Sequence, residues 1–225
     1  MKKLAVGAII LSVTLALIPL PIIGCASGEV VMTEELGPVE IREYEGVNLS
    51  SVNDFSENSI YGPKHVDISD YELKITGLVE NPASYSYDEI IEGHQNYKKV
   101  ITLDCVEGWS ATILWEGILV EDLIADAGPL PEVKAVIFHA YDGYTTALPI
   151  EYLTENNIII AHKMNEITLP SERGFPFQLV AESKWGYKWI KWITKIELSD
   201  NTDYKGFWES RGYSNDGDLD KPFFE

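Results

Sequence analysis

Between residues 71 and 198 the chain is a succession of short apolar runs separated by turn signals, and this succession constrains the fold more than any other feature. The run YELKITGLV (71–79) alternates apolar and polar residues, which is typical of a half-buried strand, and Asn81-Pro82 ends it. Asp142-Gly143 separates two further runs and predicts a hairpin. The pattern predicts strands at 71–79, 99–104, 133–140, 144–148, 158–163, 167–169, 177–181 and 192–198.

Helices are predicted between these strands, at 87–91, within 115–128 and at 150–155. Ser86 is placed to cap the first helix. In the second, Leu119, Leu123 and Ile124 fall on one helical face, and Gly128 ends the pattern. Because strands outnumber helices and are interspersed with them, we expect a single α+β domain with mixed sheets in a barrel-like arrangement.

The charge of the chain limits its partners. The 225 residues include 36 acidic and 17 basic ones, which gives a formal net charge of -19. A surface this acidic repels the phosphate backbone of DNA or RNA, so a nucleic-acid partner is excluded. The hydrophobic content of 45% is enough for one sizeable core.

Residues 1–24 have the parts of an export signal. Lys2 and Lys3 precede an apolar run, and the IIGC sequence that ends at Cys25 resembles a lipobox, in which the cysteine becomes the lipidated first residue after cleavage. We therefore predict a lipoprotein signal peptide and an extracytoplasmic protein attached to the membrane through lipidated Cys25. Alternatively, the apolar run is long enough to remain as an uncleaved anchor, which also leaves the rest of the chain outside the cytoplasm.

Residues 25–57 differ in character from the chain that follows. They are acidic and polar, contain several glycines and show no sustained periodicity. We interpret them as a flexible tether that lets a folded domain at 58–225 reach a membrane partner. The alternative is that residues 39–44 pair as an edge strand.

Cys105, at the end of the predicted strand 99–104, is the only cysteine besides Cys25, which the predicted lipid would occupy. An unpaired thiol outside the cytoplasm is either buried and inert or held for chemistry. A nucleophilic pair with His139 stays open, because such partners need only be close in space. A zinc site is less favoured, since the four histidines are scattered singly along the chain.

The stretch KWGYKWIKW (184–192) is the second unusual feature. Three lysines interleave with aromatic residues and a glycine in an otherwise acidic chain, and Arg173 adds a fourth positive charge. Lysines supply compact positive charge and a glycine lets backbone N–H groups approach an anion, which is the chemistry of a phosphate site. The alternative is a half-exposed strand whose lysines extend beside tryptophans towards solvent.

Six stretches taken in order resemble the molybdopterin-binding domain of the sulfite oxidase family. They are TLDCVEGWS, WEGILVEDLI, YTTALP, LPSERGFPFQLV, KWGYKWIKWITKIEL and FWESRGY, and the resemblance covers about residues 58–213. The CVEGWS form is closer to the catalytic subunit of periplasmic methionine sulfoxide reductases than to sulfite oxidases. The resemblance implies an oxidoreductase whose molybdenum is held by one molybdopterin dithiolene and by a protein thiolate, which is Cys105 by its place in the motif.

The resemblance also implies the other site residues. Tyr144 takes the position of an active-site tyrosine that can hydrogen-bond an oxo group or the substrate, and Ala140 offers a backbone contact only. Arg173 and Gln178 depart from the family, which has His or Asn and Arg at these positions. The implied cofactor contacts are Asn58, Tyr61, Gly62, Cys105, Ala140, Arg173, Gln178, Gly186, Tyr187, Lys188 and Lys191.

The implied reaction is a two-electron oxygen-atom transfer on a small substrate. The arginine beside the cysteine that marks sulfite oxidases is missing, and Trp109 and Ser110 lie there instead. A sulfite dianion needs concentrated positive charge, so a neutral sulfoxide is the better candidate and sulfite oxidation the alternative. No haem-binding CxxCH sequence occurs, so a separate haem- or quinone-linked electron partner is expected. A lipoprotein that keeps this fold as a binding module without the cofactor is the competing hypothesis.

Overall fold

The computed structural model describes residues 38–224, which form two five-stranded sheets, a two-stranded hairpin and short helices. The strands are β1 (Glu43–Tyr44), β2 (Val47–Asn48), β3 (Leu73–Gly77), β4 (Ala83–Tyr85), β5 (Asn96–Asp104), β6 (Ser110–Leu119), β7 (Ala135–Ala140), β8 (Thr145–Pro149), β9 (Ile159–Met164), β10 (Ile167–Thr168), β11 (Gln178–Val180) and β12 (Ile193–Ser199). The α-helices are α1 (Tyr87–Gly93), α2 (Val120–Ala125) and α3 (Ile150–Glu155). This is the mixed α+β fold that the sequence predicts.

The two large sheets differ in strand direction. The first has the order β10-β9-β6-β5, with β11 also paired to β9, and all of its pairings are antiparallel. The second has the order β4-β3-β12-β7-β8, in which β12 runs parallel to β3 and antiparallel to β7. A single hydrophobic cluster includes residues of both sheets, such as Trp115 on β6 and Phe138 on β7. The loops that leave these strands therefore start from a shared, rigid base.

Most predicted elements are confirmed with small changes in their bounds. The helix behind Ser86 is α1, and its N-terminus is a capping box: the Glu89 N–H donates to Ser86 Oγ while the Ser86 N–H donates to the Glu89 carboxylate. The Asp142-Gly143 turn joins β7 to β8 in the predicted hairpin. The strand that leads to Cys105 is β5, which ends at Asp104.

The helix predicted within 115–128 is confirmed, but it begins only at Val120. Trp115 to Leu119 belong to β6, and only Val120–Ala125 is helical. Trp115 pairs with Lys99 of β5 on one side and with Met164 of β9 on the other, so its neighbours on both sides favour the extended backbone. This pairing overrides the helical spacing of the apolar residues.

The tether predicted at 25–57 is wrong for residues 38–57, which pack on the domain. Leu49 and Val52 are buried, and the Ser50 N–H donates to the Thr112 carbonyl of β6 over 2.8 Å. The Glu40 carboxylate accepts from the Val52 N–H over 2.6 Å and from the Asn165 side-chain amide over 2.7 Å. The alternative edge strand is closer to the structure, because β1 and β2 form a hairpin here.

The predicted signal peptide, the lipidated Cys25 and the tether residues 25–37 lie outside the described residues. Among residues 38–224, no helix has the length and apolar character needed to cross a membrane. Residues 200–224 follow β12 and hydrogen-bond along the stretch 183–188, for example from the Trp185 N–H to the Gly217 carbonyl over 2.8 Å. The C-terminal part of the chain therefore covers this side of the domain.

Candidate active site

A cavity of about 420 Å³ lies where the end of β5 meets three other segments of the chain. These are residues 55–60, which we call the cavity strap, a 3₁₀ turn at Gly186–Lys188, and the C-terminal segment around Trp208. The volume falls in the range of small-molecule sites. The lining residues used below are Glu57, Asn58, Cys105, Glu107, Trp109, Asp142, Tyr144, Glu172, Arg173, Gln178, Gly186, Tyr187, Lys191, Trp208 and Tyr213.

Cys105 is the first residue after β5 and begins a tight turn. Its N–H donates to the Trp109 carbonyl over 2.9 Å, and the Gly108 N–H donates back to the Cys105 carbonyl over 3.0 Å. Gly108 has φ +88°, a conformation that side chains disfavour, so a glycine here lets the turn close. The thiol is 8% exposed and lines the cavity.

Burial and hydrogen bonds have opposite effects on the pKa of the Cys105 thiol. Burial raises the pKa of the Cys105 thiol, and the negative charge of Glu107 acts in the same direction. Hydrogen bonds from the backbone N–H groups of Glu107 and Val106 and from the Asn58 side-chain amide favour the thiolate and oppose that rise in pKa. The Asn58 Nδ2 to Cys105 Sγ distance is 3.5 Å. A metal ion that binds this sulfur would replace its proton and keep these donors.

Gly186 lies against the cysteine, as the resemblance predicts for two motifs about eighty residues apart. A Cβ placed on Gly186 would lie 3.3 Å from the Asp104 carbonyl oxygen and 3.6 Å from the Cys105 Cα. The lack of a side chain therefore lets this turn pack closely against the backbone at the end of β5. The interpretation of 184–192 as a half-exposed strand is wrong, because residues 186–188 form a 3₁₀ turn and Trp189 and Trp192 are buried.

Lys188 does not face the cavity. Its side chain is 0% exposed, and its ammonium donates to Glu209 Oε1 over 2.7 Å and to the Asn215 carbonyl over 2.9 Å. Burial lowers the pKa of Lys188, and the Glu209 carboxylate opposes that change. Glu209 Oε1 also accepts from the Thr146 hydroxyl over 2.6 Å. From this turn, then, the backbone and not the lysine side chain lies beside the cavity.

The two cavity-facing tyrosines tie the site to its surroundings. The Tyr144 hydroxyl donates to the Tyr187 carbonyl over 2.5 Å, and burial raises its pKa well above the ordinary value. The Tyr187 hydroxyl donates to the Ser214 carbonyl over 2.8 Å. Tyr144 therefore fixes the 3₁₀ turn in this structure, while its ring lines the cavity.

The cations of the site are already paired within the chain. Arg173 donates through three nitrogens to the carbonyls of Val52, Phe55 and Ser56 over 2.8, 2.7 and 3.2 Å, so it holds the start of the cavity strap. Lys191 donates to the Glu57 carboxylate. The Gln178 side chain is buried on β11 and lines the cavity.

Besides Lys188, three predicted site residues are not brought to the cavity wall. Tyr61 is 69% exposed, and neither it nor Gly62 is among the lining residues. Ala140 is buried at the end of β7, where its N–H donates to the Tyr144 carbonyl over 2.9 Å. Ala140 therefore acts on the site only through the hairpin that carries Tyr144.

Sequence reasoning missed several lining residues. Trp109 packs on Phe55 with ring centroids 5.4 Å apart, and its buried indole N–H has no hydrogen-bond partner within residues 38–224. Trp208 and Tyr213 line the cavity and lie in FWESRGY, a stretch that carries the resemblance without implying a role for these two side chains. Its aromatic content was the available signal.

The rival chemistries of Cys105 find no support in the geometry. His139 is absent from the cavity lining, and its Nε2 lies 2.9 Å from the Glu197 carboxylate. Within the part of the chain that the structure describes, no three His, Cys, Asp or Glu side chains group together as metal ligands would. Cys105 is therefore a single thiol among hydrogen-bond donors.

The sequence matches the model of a known protein family. The model of the oxidoreductase molybdopterin-binding domain matches residues 61–208, well over half of the chain. The chain belongs to this family. It is therefore a molybdopterin-binding oxidoreductase domain of the sulfite oxidase type, which confirms the resemblance found in the sequence.

Similar proteins span several members of the family. The uncharacterized oxidoreductase YuiH of Bacillus subtilis is 31% identical over 157 residues, which cover 69% of this chain and 78% of YuiH. The methionine sulfoxide reductase catalytic subunit MsrP of Gluconobacter oxydans is 31% identical over 58% of this chain and 47% of its own length. An NADPH nitrate reductase of Fusarium oxysporum is 31% identical over 59% of this chain and 18% of its own length. The chain thus spans half or less of the last two proteins.

A solved structure has the same fold. The sulfane dehydrogenase SoxCD from Paracoccus pantotrophus superposes with a TM-score of 0.61 over 69% of this chain and 43% of the other, at 22% identity. At this identity the likeness concerns the fold alone. The mixed α+β architecture is therefore that of the family.

The residues present fit the molybdenum and molybdopterin that the family binds. Cys105 would supply one soft sulfur ligand, and no group of three or more His, Cys, Asp or Glu residues among residues 38–224 forms a separate metal site. The donors around that sulfur favour its deprotonated form. Gly186 packs against the end of β5 and lines the cavity beside Cys105, and the Trp109 indole offers a donor that no described residue satisfies.

Proposed function

We propose that this domain is a molybdenum-molybdopterin oxidoreductase that transfers an oxygen atom with two electrons, and that it reduces a small sulfoxide. The observation that supports this most is the meeting of a buried thiol, surrounded by donors, with the closely packed Gly186 turn in one cavity. The family and the MsrP relatives agree with an oxidoreductase, and the name of MsrP suggests the sulfoxide.

Each cavity residue has a role in this proposal. Cys105 is the protein ligand of the molybdenum, and Asn58 orients and stabilises its thiolate. Gly186, Tyr187, Arg173 and Lys191 line the same cavity and would hold the pterin and its phosphate. The bound cofactor would supply the two-electron oxygen-atom chemistry. Tyr144 keeps the 186–188 turn in place through its hydrogen bond to the Tyr187 carbonyl.

The charges at the cavity support a neutral substrate. The lining carboxylates are Glu57, Glu107, Asp142 and Glu172, and the lining cations are Arg173 and Lys191. Both cations already bind groups of the chain. The excess of negative charge would repel a sulfite or nitrate anion but would not repel a neutral sulfoxide. The aromatic rings of Trp208 and Tyr213 offer an apolar wall for the carbon substituents of a sulfoxide.

We also propose that the domain is attached to a membrane and receives electrons from a partner protein. A lipidated Cys25 would hold the domain at a membrane, and a separate haem- or quinone-linked protein would deliver the electrons. Both ideas come from the sequence, and the residues that would carry the lipid lie outside the described part of the chain.

Metal analysis tests the proposal. Protein produced in a host that makes the cofactor should contain molybdenum and release a fluorescent pterin on denaturation. Cys105→Ser should lose the molybdenum, because an alcohol is a harder and less acidic ligand than a thiol. Cys25→Ser is the matched control: it removes the other cysteine and should retain the metal. Molybdenum missing from the wild type, or kept in full by Cys105→Ser, would contradict the proposal and favour the binding module.

The substrate is tested separately on the loaded protein. Reoxidation of a reduced dye should proceed with dimethyl sulfoxide or methionine sulfoxide and not with nitrate, and sulfite should not reduce an acceptor dye. Equal rates with sulfite would move the assignment to the sulfite-oxidising alternative. In that case the acidic lining would not be the source of specificity.

A further inference from the structure

The indole of Trp109 carries a hydrogen-bond donor that no residue between 38 and 224 uses. Its Nε1 atom is buried and has no hydrogen-bond partner in this part of the chain. Two other indoles that line the cavity are paired: Trp189 donates to the Lys184 carbonyl over 2.9 Å, and Trp192 donates to the Ser171 carbonyl over 2.7 Å. A buried donor without an acceptor costs free energy, which an acceptor that enters the cavity would restore.

The backbone holds Trp109 beside the Cys105 thiol. The Trp109 carbonyl accepts the Cys105 N–H over 2.9 Å, and this hydrogen bond closes the turn 105–109. Both residues line the cavity. The unpaired donor is therefore carried by the same tight turn as the proposed metal ligand.

The ring of Trp109 is held by aromatic packing. It packs on Phe55 of the cavity strap with ring centroids 5.4 Å apart. Arg173 holds Phe55 in turn, since its guanidinium carbon lies 4.0 Å from the Phe55 ring centroid and its Nη2 donates to the Phe55 carbonyl over 2.7 Å. A donor with few alternative positions loses little entropy when it binds an acceptor.

The indole differs from the other donors near the thiol in being both free and uncharged. The Asn58 amide is directed at the Cys105 sulfur over 3.5 Å, and the Tyr144 hydroxyl donates to the Tyr187 carbonyl over 2.5 Å. Each of these groups would have to leave its protein acceptor to bind a substrate, whereas the indole N–H would not. An indole is a neutral group that only donates, which suits an uncharged acceptor oxygen.

We propose that the indole N–H of Trp109 binds the oxygen of the sulfoxide substrate, which makes Trp109 a specificity-determining residue of this site. The inference rests on the proposed function in taking a sulfoxide as the substrate. A small turn of the ring brings the N–H from beneath the cavity surface to that oxygen. The sulfide product lacks the oxygen, so this donor holds the substrate and not the product.

Nuclear magnetic resonance tests the hydrogen bond directly, on loaded protein without a reductant and with nitrogen-15 in its indoles. The probes are dimethyl sulfoxide and dimethyl sulfide. The chain has six tryptophans, and Trp109→Phe identifies the Trp109 signal. The indole proton of Trp109 should move downfield with the sulfoxide and not with the sulfide. A signal that stays in place, as it would if the bound cofactor already accepted the donor, or that responds equally to both probes would overturn the inference.

Kinetics with Trp109→Phe give the second test, because this variant keeps a ring against Phe55 and loses the donor. The KM for dimethyl sulfoxide should rise roughly three- to tenfold, the effect of one neutral hydrogen bond, with kcat little changed. Inhibition by dimethyl sulfide should be the same in wild type and variant. An unchanged KM for the sulfoxide would overturn the inference.

Trp185→Phe is the matched control. It removes an indole N–H that donates to the Lys221 carbonyl over 3.2 Å outside the cavity lining, so the KM should stay that of wild type. Trp109→Phe should keep the molybdenum content and the urea midpoint of wild type, and a fall in either would show that the indole serves the fold and would overturn the inference. Loaded wild type that reduces no sulfoxide would contradict the proposed function, whereas turnover with a KM insensitive to Trp109→Phe would overturn this inference alone.

Discussion

The side-chain amide of Asn58 and the sulfur of Cys105 lie 3.5 Å apart, although 47 residues of chain separate them. The contact requires the cavity strap to lie over the end of β5, and Arg173 holds the strap there through the carbonyls of Val52, Phe55 and Ser56. The donor and the thiol are thus placed by separate elements of the fold. Their contact is the part of the site most open to a direct test.

Asn58→Asp should lower molybdenum retention severalfold. A carboxylate in place of the amide removes a donor to the thiolate and sets a negative charge against it. The measurement is the molar ratio of molybdenum to protein. Asn53→Asp is the matched control, since Asn53 is exposed and is not among the lining residues. Equal metal content in Asn58→Asp and wild type would mean that Asn58 has no role in holding the ligand.

Gly186→Ala should weaken cofactor retention with little loss of stability. The added Cβ would lie 3.3 Å from the Asp104 carbonyl oxygen and 3.6 Å from the Cys105 Cα, which is tight but tolerable for the fold, and it would push the 186–188 turn away from the end of β5 and change the shape of the cavity. Pterin fluorescence after denaturation and the urea midpoint measure the two effects. Gly93→Ala, where a Cβ meets nothing within 4 Å, should leave pterin content unchanged. A large fall in the urea midpoint of Gly186→Ala would instead indicate a structural role.

Much of the site could be predicted because its residues cluster in short motifs. Cys105 and Gly186 each lie in a motif, and the resemblance places both beside one cofactor. The burial of Lys188 could not be predicted, because it depends on Glu209, and no local pattern shows which acidic residue meets a given lysine. A lysine next to a glycine looks the same in sequence whether its ammonium faces the ligand or the core.

The secondary structure could be predicted where the signal for an element lies within the element's own residues. The alternation in 71–79 and the Ser86 cap are local, and both are confirmed. The stretch 115–119 has helical spacing but lies in a strand between two others, so its structure depends on residues far along the chain. Residues 38–57 lack periodicity because they are held by hydrogen bonds that the Glu40 carboxylate accepts and by the burial of Leu49 and Val52, not by a long regular element.

Glu209→Gln should destabilise the fold by about 3 to 5 kcal/mol, because it leaves the Lys188 ammonium buried without its counter-charge. The measurement is the free energy of unfolding in urea. The double variant Lys188→Met with Glu209→Leu should recover much of the loss, since neither buried charge remains. Glu72→Gln is the control: its pair with Lys74 is more than half exposed and should contribute less than about 1 kcal/mol. A small loss in Glu209→Gln would mean that water reaches Lys188.

Stability should fall in acid because of His162, which is 3% exposed on β9. Burial lowers the pKa of His162 to about 4, and Lys163 adds to that effect. Below pH 6.5, the ordinary histidine pKa, this side chain binds a proton in the unfolded chain but stays neutral in the folded chain. The contribution of His162 to stability is therefore complete above pH 6.5 and declines as the pH falls towards 4. Between about pH 7.5 and about pH 5 the loss should be about 2 kcal/mol in urea unfolding. His162→Gln should remove this difference, whereas His65→Gln, at an exposed site, should retain it. An equal decline in wild type and His162→Gln would assign the acid sensitivity to other groups.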